Sequence, residues 1–329
     1  MTRSSLSTVV LGAGAVGSFY GAMLARAGLA VHLIAREPHV AAIAQQGGLR
    51  LDMGGQQQLV PVAATSTLDA LREADLVLVC VKSTDTAEVA AQMAPLLRPD
   101  ALVLSLQNGV ENADTLARTL SNPVIPTVVY VAVGMPEPGR VTHHGRGELV
   151  IGPRTAAEAA QPTLMARLQG LVTHFAQAQV GVSISLQVME ALWEKLVINC
   201  AYNALSALTQ QPYGLIAQQD GVLALQRALV AEVVAVARAQ GLRLDEAALW
   251  AATAQIAHSM ATQRSSTAQD LVRGKATEID HLNGFVARRG AALGVATPMN
   301  QALWAMVKLA ETSAWRPTPS GVMALSQRA

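Results

Sequence analysis

Aromatic side chains make up only 3% of this chain, and cysteine is scarcer still, at two in 329 residues. Cys80 and Cys200 stand in apolar surroundings, LVLVCVK and LVINCAYN, without metal-ligand spacing. No metal site is expected, and both thiols read as reduced and buried. No stretch of about 18 apolar residues runs without a charge or a breaker, so no membrane-spanning helix is expected. The apolar run near the start is interrupted by glycines and merges into a motif, not a cleavage site, which makes a cytoplasmic location the expectation. Lys and Arg, 24 in all, nearly balance 23 Asp and Glu, and they are scattered. Neither a track for nucleic acid nor a basic membrane face is present, which leaves a small molecule as the expected partner.

What the chain does have is aliphatic residues. Its 51% hydrophobic content is carried by Ala, Val and Leu, as expected of a helix-rich α/β protein, and its length suggests two domains at about 150 residues each. Segments 7–11, 30–35, 75–81 and 101–106 are continuous in Val, Leu and Ile, the pattern of buried parallel strands. Between them, 15–27, 67–74 and 85–97 read as crossover helices. The Gly- and Pro-punctuated stretch 123–153 reads as two strands joined by a loop at 134–140, extending the sheet antiparallel. Beyond Gln187 strand signals almost vanish, and 187–208, 221–240, 245–262, 276–292 and 298–313 carry helical periodicity. The fold class is therefore α/β: an N-terminal Rossmann-type doubly wound sheet domain over 1–185 and a C-terminal all-α domain over 186–329, with the active site expected in the cleft between them. The alanine-rich C-terminal helices suit either a homodimer face or intramolecular core.

The motif GAGAVG follows the strand STVVL directly and opens an apolar helix. In that setting Gly12 permits a tight turn, Gly14 lets backbone approach a pyrophosphate, and Gly17 lets the helix pack close to the strand. Ala15 and Val16 lie at the helix N-terminus, which receives the diphosphate charge. At the end of the second strand, where an NAD-selective protein carries an acidic residue, this chain has Arg36. A guanidinium there pairs with a 2′-phosphate and favours NADPH, the alternative being a solvated surface arginine. Lys82 follows a strand at the ligand edge and either contacts cofactor or caps that edge. Gln107, Asn108 and Gly109 follow the strand ALVLSL over the nicotinamide end, although Asn-Gly is also a strong turn dipeptide.

In the helix MEALWEKLVINCAYNALSAL, Lys195, Asn199 and Asn203 recur every four residues, so they share one face with a drift of about 40° per step. Apolar neighbours enclose the stripe, and buried polar groups need partners: a polar ligand, or a network between helices. Hydride delivery to a ketone builds negative charge on oxygen, which an ammonium stabilises and protonates, the role that suits Lys195. The asparagines offer donors and acceptors to hydroxyl and carboxylate groups. In QRSSTAQDLVRGKATEIDHLNG, Ser265 and Ser266 suit a carboxylate or a helix cap, and Glu278 suits a pair with Lys195 or a helix dipole.

Taken together, GAGAVG, Arg36, QNG at 107–109, EKLVINCAYN at 194–203 and SSTAQDLVRGKATEIDHLNG at 265–284 resemble the ketopantoate reductase (2-dehydropantoate 2-reductase) family over essentially the whole chain. The resemblance implies reduction of 2-dehydropantoate to (R)-pantoate with NADPH, a step toward pantothenate and coenzyme A. It implies Lys195 as general acid, Asn108, Asn199, Asn203 and Ser266 as substrate holders, and Glu278 as the acidic site residue. Two departures stand out: Gln263 and Arg264 precede the serine pair, and the first domain is lengthened around 141–152. Arg264 suits a substrate carboxylate or the surface equally. The rival readings are a reductase of another branched or aromatic 2-keto acid and, from a different class, a non-catalytic NADPH-binding sensor.

Overall fold

The computed structural model describes residues 6–312. The chain divides into two compact units, Met1–Ala191 and Leu192–Ala329.

The first unit is built on ten strands: β1 (Thr8–Leu11), β2 (Val31–Ile34), β3 (Leu49–Met53), β4 (Gln56–Val60), β5 (Ala63–Thr65), β6 (Leu76–Val79), β7 (Leu102–Ser105), β8 (Val124–Glu137), β9 (Arg140–Ile151) and β10 (Val182–Ile184). Their order is β4-β3-β9-β8-β7-β6-β1-β2-β5, with β10 pairing β9. From β5 to the first residues of β8 all neighbours are parallel, and the order reverses between β1 and β6. This is the doubly wound sheet, with its switch point at β1 and β6.

Strands β1, β6 and β7 are buried along their whole length, which is why they read as unbroken aliphatic runs. Their two-residue period sorts the side chains into two cores. Val10, Leu33, Leu78 and Leu104 join the core that includes Phe19 and Leu24 of the helix Ala15–Arg26. Val9, Leu11, Val77, Val79 and Val103 join the other, with Ala90, Met93 and Leu116.

Past Pro126, β8 leaves its parallel partner and pairs antiparallel with β9, as the sequence suggests, but the connection is far tighter than a loop over 134–140. Glu137 pairs with Arg140 directly, and Pro138-Gly139 make the turn. Proline presets the first corner and Gly139, at φ +77°, supplies the left-handed second one.

Other elements depart from expectation for local reasons. The segment 67–74 forms only the 3₁₀ turn Asp69–Glu73, because the Thr65 hydroxyl accepts from the Thr67 amide and the Thr67 hydroxyl donates to Asp69, bonds that compete with a helix. The helix expected over 85–97 is Thr86–Met93, cut short ahead of Pro95. Several features go beyond the sequence reading, among them the helices Glu37–Gln46, Asn112–Ala117 and Pro162–Gln177, the hairpin of β3 and β4, and the parallel strands β5 and β10.

Among its described residues the second unit contains helices and no strand: Val188–Thr209, most of which it holds, then Tyr213–Ile216, Val222–Ala239, Glu246–Ser259, Ser266–Val272, Asn283–Leu293 and Pro298–Thr312. Ala204, Leu229, Ile279, Leu303 and Val307 form one of its cores. The helix expected from residue 276 begins only at Asn283, since residues 276–282 are taken up by the 3₁₀ turn Ile279–His281 and the chain before it. No helix among the described residues is long and apolar enough to cross a membrane.

Candidate functional site

The parallel register levels the carboxyl ends of four strands: Leu11 pairs with Ile34 and with Val79, and Val79 pairs with Ser105. Whatever follows those residues lies along one edge of the sheet. Gly12, Arg36, Lys82 and Asn108 all do. Backbone bonds fix the edge, with the Gly12 and Ala13 amides donating to the Ile34 carbonyl at 3.0 and 2.9 Å, and the Cys80 amide donating to Leu11 at 2.8 Å.

The three glycines of GAGAVG have three different surroundings. At φ +91°, Gly12 has the Val81 backbone nitrogen 2.6 Å from where a Cβ would stand. A Cβ on Gly17 would meet Val10 at 2.8 Å and Cys80 at 3.1 Å, so the helix seats on the strand only because this residue is bare. Gly14, exposed, has nothing within 4 Å. It is the N-cap of the helix Ala15–Arg26, with no side-chain cap and no acidic residue in the first turn. The amides of Ala15, Val16 and Gly17 thus keep the partial positive charge of an open helix start.

Two polar networks hold this edge. In the first, the Gly139 amide donates to His39 Nδ1 at 2.8 Å, so the neutral ring carries its proton on Nε2 and donates it to Ser18 Oγ, 3.1 Å away. Ser18 in turn donates to the Ala13 carbonyl at 3.0 Å. Burial lowers the His39 pKa, consistent with a neutral ring. In the second, the Asn108 carbonyl accepts from Ser83 Oγ at 2.8 Å and Asn112 Nδ2 at 2.6 Å. Asn112 accepts from Thr86, which accepts from Gln107, which accepts from Ser105. Asn112 is 3% exposed, and this chain of bonds fixes the 107–109 turn at the sheet edge. Gln107 is thereby a scaffold residue.

Arg36 is exposed at the start of the helix Glu37–Gln46, and its guanidinium forms no ion pair with any described residue. Lys82 is half-buried. Cys80 and Cys200 are free thiols, Cys80 half-buried, and burial pushes both pKa values up. No cluster of three His, Cys, Asp or Glu that would hold a metal exists among the described residues.

In the second unit, Lys195, Asn199 and Asn203 follow one another along the helix Val188–Thr209. Lys195 and Asn199 are half-buried and Asn203 is 5% exposed. The side-chain amides of Asn199 and Asn203 make no hydrogen bond to any described residue, so the helix stripe is not a closed network between helices. Neither amide is among the side-chain polar atoms sealed from solvent without a partner, so both remain accessible to a polar ligand. Ser265 stitches the next segment to this helix. Its hydroxyl donates to the Asn203 carbonyl at 3.1 Å and accepts from the Ala268 amide at 3.0 Å, and its own amide donates to Ser206 Oγ. Ser265 is the helix cap, whereas Ser266, the first residue of the helix, keeps an exposed side chain. Glu278 is half-buried, immediately before the 3₁₀ turn.

The sequence reading passed over Ser18, His39, Ser83, Thr86 and Asn112. All five are buried, but only Ser18, within the apolar run of the helix Ala15–Arg26, stands out in sequence; the others lie among polar neighbours.

Residues 8–156 match the family described as "Ketopantoate reductase PanE/ApbA", and residues 187–311 match "Ketopantoate reductase PanE/ApbA C terminal". The crystal structure of a PanE/ApbA family ketopantoate reductase from Ralstonia eutropha JMP134 is 53% identical, covers 93% of this chain and 98% of its own, and has a TM-score of 0.85. A 2-dehydropantoate 2-reductase of Halobacterium salinarum is 32% identical over 93% of this chain and 99% of its own. D-mandelate dehydrogenase, solved with NADH and anilino(oxo)acetate, also has a TM-score of 0.85, with 93% of this chain and 98% of its own covered, but at 23% identity the likeness is one of fold alone.

Proposed function

The chain belongs to the ketopantoate reductase PanE/ApbA family, a family of oxidoreductases, and from that premise we propose that it reduces the C2 ketone of 2-dehydropantoate to (R)-pantoate with NADPH. The observation that carries the reading is the Lys195, Asn199 and Asn203 stripe, with two amides that have no protein partner among the described residues.

The first unit fits a dinucleotide. Gly14 leaves open space in front of an uncapped helix start, which suits a pyrophosphate, and the guanidinium of Arg36, exposed and without an ion pair among the described residues, suits a 2′-phosphate. Lys82 and Asn108 complete the set along the same edge. When bound, the cofactor supplies the hydride that reduces the C2 carbon.

Every other part of the step belongs to this chain's side chains. Lys195 stabilises the charge that grows on the ketone oxygen and gives it a proton. Asn199 and Asn203 hold the substrate's hydroxyl and carboxylate oxygens with donors and acceptors at fixed spacing, joined by Asn108 and by the exposed hydroxyl of Ser266. Glu278 adds an acceptor for a substrate hydroxyl or for the Lys195 ammonium.

Two measurements test the assignment. Across a panel of 2-keto acids, 2-dehydropantoate is expected to give the highest kcat/KM; a higher value for an aromatic 2-keto acid would keep the chemistry and overturn the substrate. Removing a charge-assisted bond costs about 1.5–3 kcal/mol, so Arg36→Ala is expected to narrow the preference for NADPH over NADH by about 10- to 100-fold. An unchanged preference would return Arg36 to the surface.

A further inference from the structure

We propose that Glu311 is a positioning residue for Glu278, holding the backbone on which that carboxylate stands. The proposal rests on the reading of Glu278 as a residue of the active site.

Glu278 sits between two neighbours that are both tied to the helix Pro298–Thr312. On its N-terminal side Thr277, 1% exposed, donates its amide to Glu311 Oε1 at 2.8 Å and its hydroxyl to the same oxygen at 2.6 Å. The Thr277 hydroxyl also accepts from the Ile279 amide at 3.2 Å, passing the constraint across Glu278. On its C-terminal side Ile279 is fully buried in the core beside Leu303 and Val307. Asp280 then accepts from Trp304 Nε1 at 2.7 Å and Lys308 Nζ at 2.9 Å. Lys308 closes the frame through Glu311 at 2.7 Å. Burial alone raises the Asp280 pKa, but the bonds from Lys308 and Trp304 outweigh it and hold the carboxyl below its ordinary range.

The two sides of this frame differ. Asp280 is backed by a buried neighbour, Ile279. Thr277 enters from residues 273–276, which are all exposed, and its own amide and hydroxyl both turn to Glu311. Glu311 thus holds both polar groups of the residue that leads into the turn, directly before Glu278. A carboxylate that must meet a ligand group tolerates little displacement, since misplacement by about 1 Å costs about a hundredfold in rate.

The test is a double-mutant cycle on kcat for 2-dehydropantoate with NADPH, with thermal midpoints to show that each variant folds. Glu311→Ala is expected to lower kcat by about 10- to 100-fold and to leave NADPH affinity unchanged. Glu311→Gln, which keeps an oxygen for Thr277, is expected to recover most of that loss. In a Glu278→Gln background, which alone lowers kcat at least as far, Glu311→Ala is expected to add nothing. Losses that multiply, or an undiminished kcat in Glu311→Ala, would overturn the positioning role while leaving Glu278 in the site. Wild-type kcat in Glu278→Gln alone would remove Glu278 from the site and the proposal with it. If Glu311→Ala does not fold, Thr277→Val carries the test: it removes only the hydroxyl arm, and a smaller loss that vanishes in the Glu278→Gln background is the expected result.

Discussion

Replacing Lys195 with alanine is expected to leave NADPH binding intact and to lower kcat by at least about a hundredfold, the lower end for loss of a general acid. The expectation follows from where the residue lies. Lys195 opens the stripe that continues through Asn199 and Asn203, in a half-buried position. Charge developing on a ketone oxygen has to be met by a donor already in place, and the asparagines beside the lysine are too weak as acids to take over. Cofactor binding should survive because the residues assigned to it, Gly12 to Gly17, Arg36, Lys82 and Asn108, all lie in the first unit. Titration of NADPH fluorescence together with single-turnover kinetics checks both halves. Near-normal turnover in Lys195→Ala would take the residue out of the mechanism.

The second large effect is expected from glycines that look equivalent in sequence and are not. Gly12→Ala forces a side chain onto a φ of +91° and pushes its Cβ to 2.6 Å from the Val81 backbone nitrogen, which has no flexible end to move aside. Strained backbone costs about 1–3 kcal/mol and overpacking about the same again, so the thermal midpoint is expected to fall by roughly 5–20 °C. Gly14→Ala should cost little stability, since nothing lies within 4 Å of its Cβ. Its penalty is expected in NADPH affinity, because that open space is where a pyrophosphate approaches the backbone. Calorimetry on both variants and a binding titration on Gly14→Ala separate the two effects. An unperturbed midpoint in Gly12→Ala, or unchanged NADPH affinity in Gly14→Ala, would contradict the roles assigned to them.

Much of the fold was legible because its signals are local. The aliphatic runs around Val9, Val77 and Val103 report strands buried on both faces, and the four-residue spacing from Lys195 to Asn203 reports a helix face. The exposed edge strand β4, QQQLV, has neither an alternating nor a continuous pattern, so nothing in it announces a strand. The helices Glu37–Gln46 and Pro162–Gln177 did carry a signal, a proline in the first turn, and the first also has Gly47 just past its end.

What could not be read locally are the bonds that span long distances along the chain. His39 meets Gly139 across 100 residues, Ser83 meets Asn108 across 25, and Glu311 meets Thr277 across 34. In sequence each of these residues looks like an ordinary polar position in a helix or loop. Their importance lies in burial, which makes every one of their bonds costly to lose. The residues expected to touch ligand were therefore easier to find than the residues that hold them.

The most direct test is to mix the purified protein with NADPH and 2-dehydropantoate, follow cofactor absorbance, and quantify pantoate and its handedness by chiral chromatography. One (R)-pantoate is expected for each NADPH consumed; NADPH that binds but is not oxidised in the presence of 2-dehydropantoate would overturn the assignment.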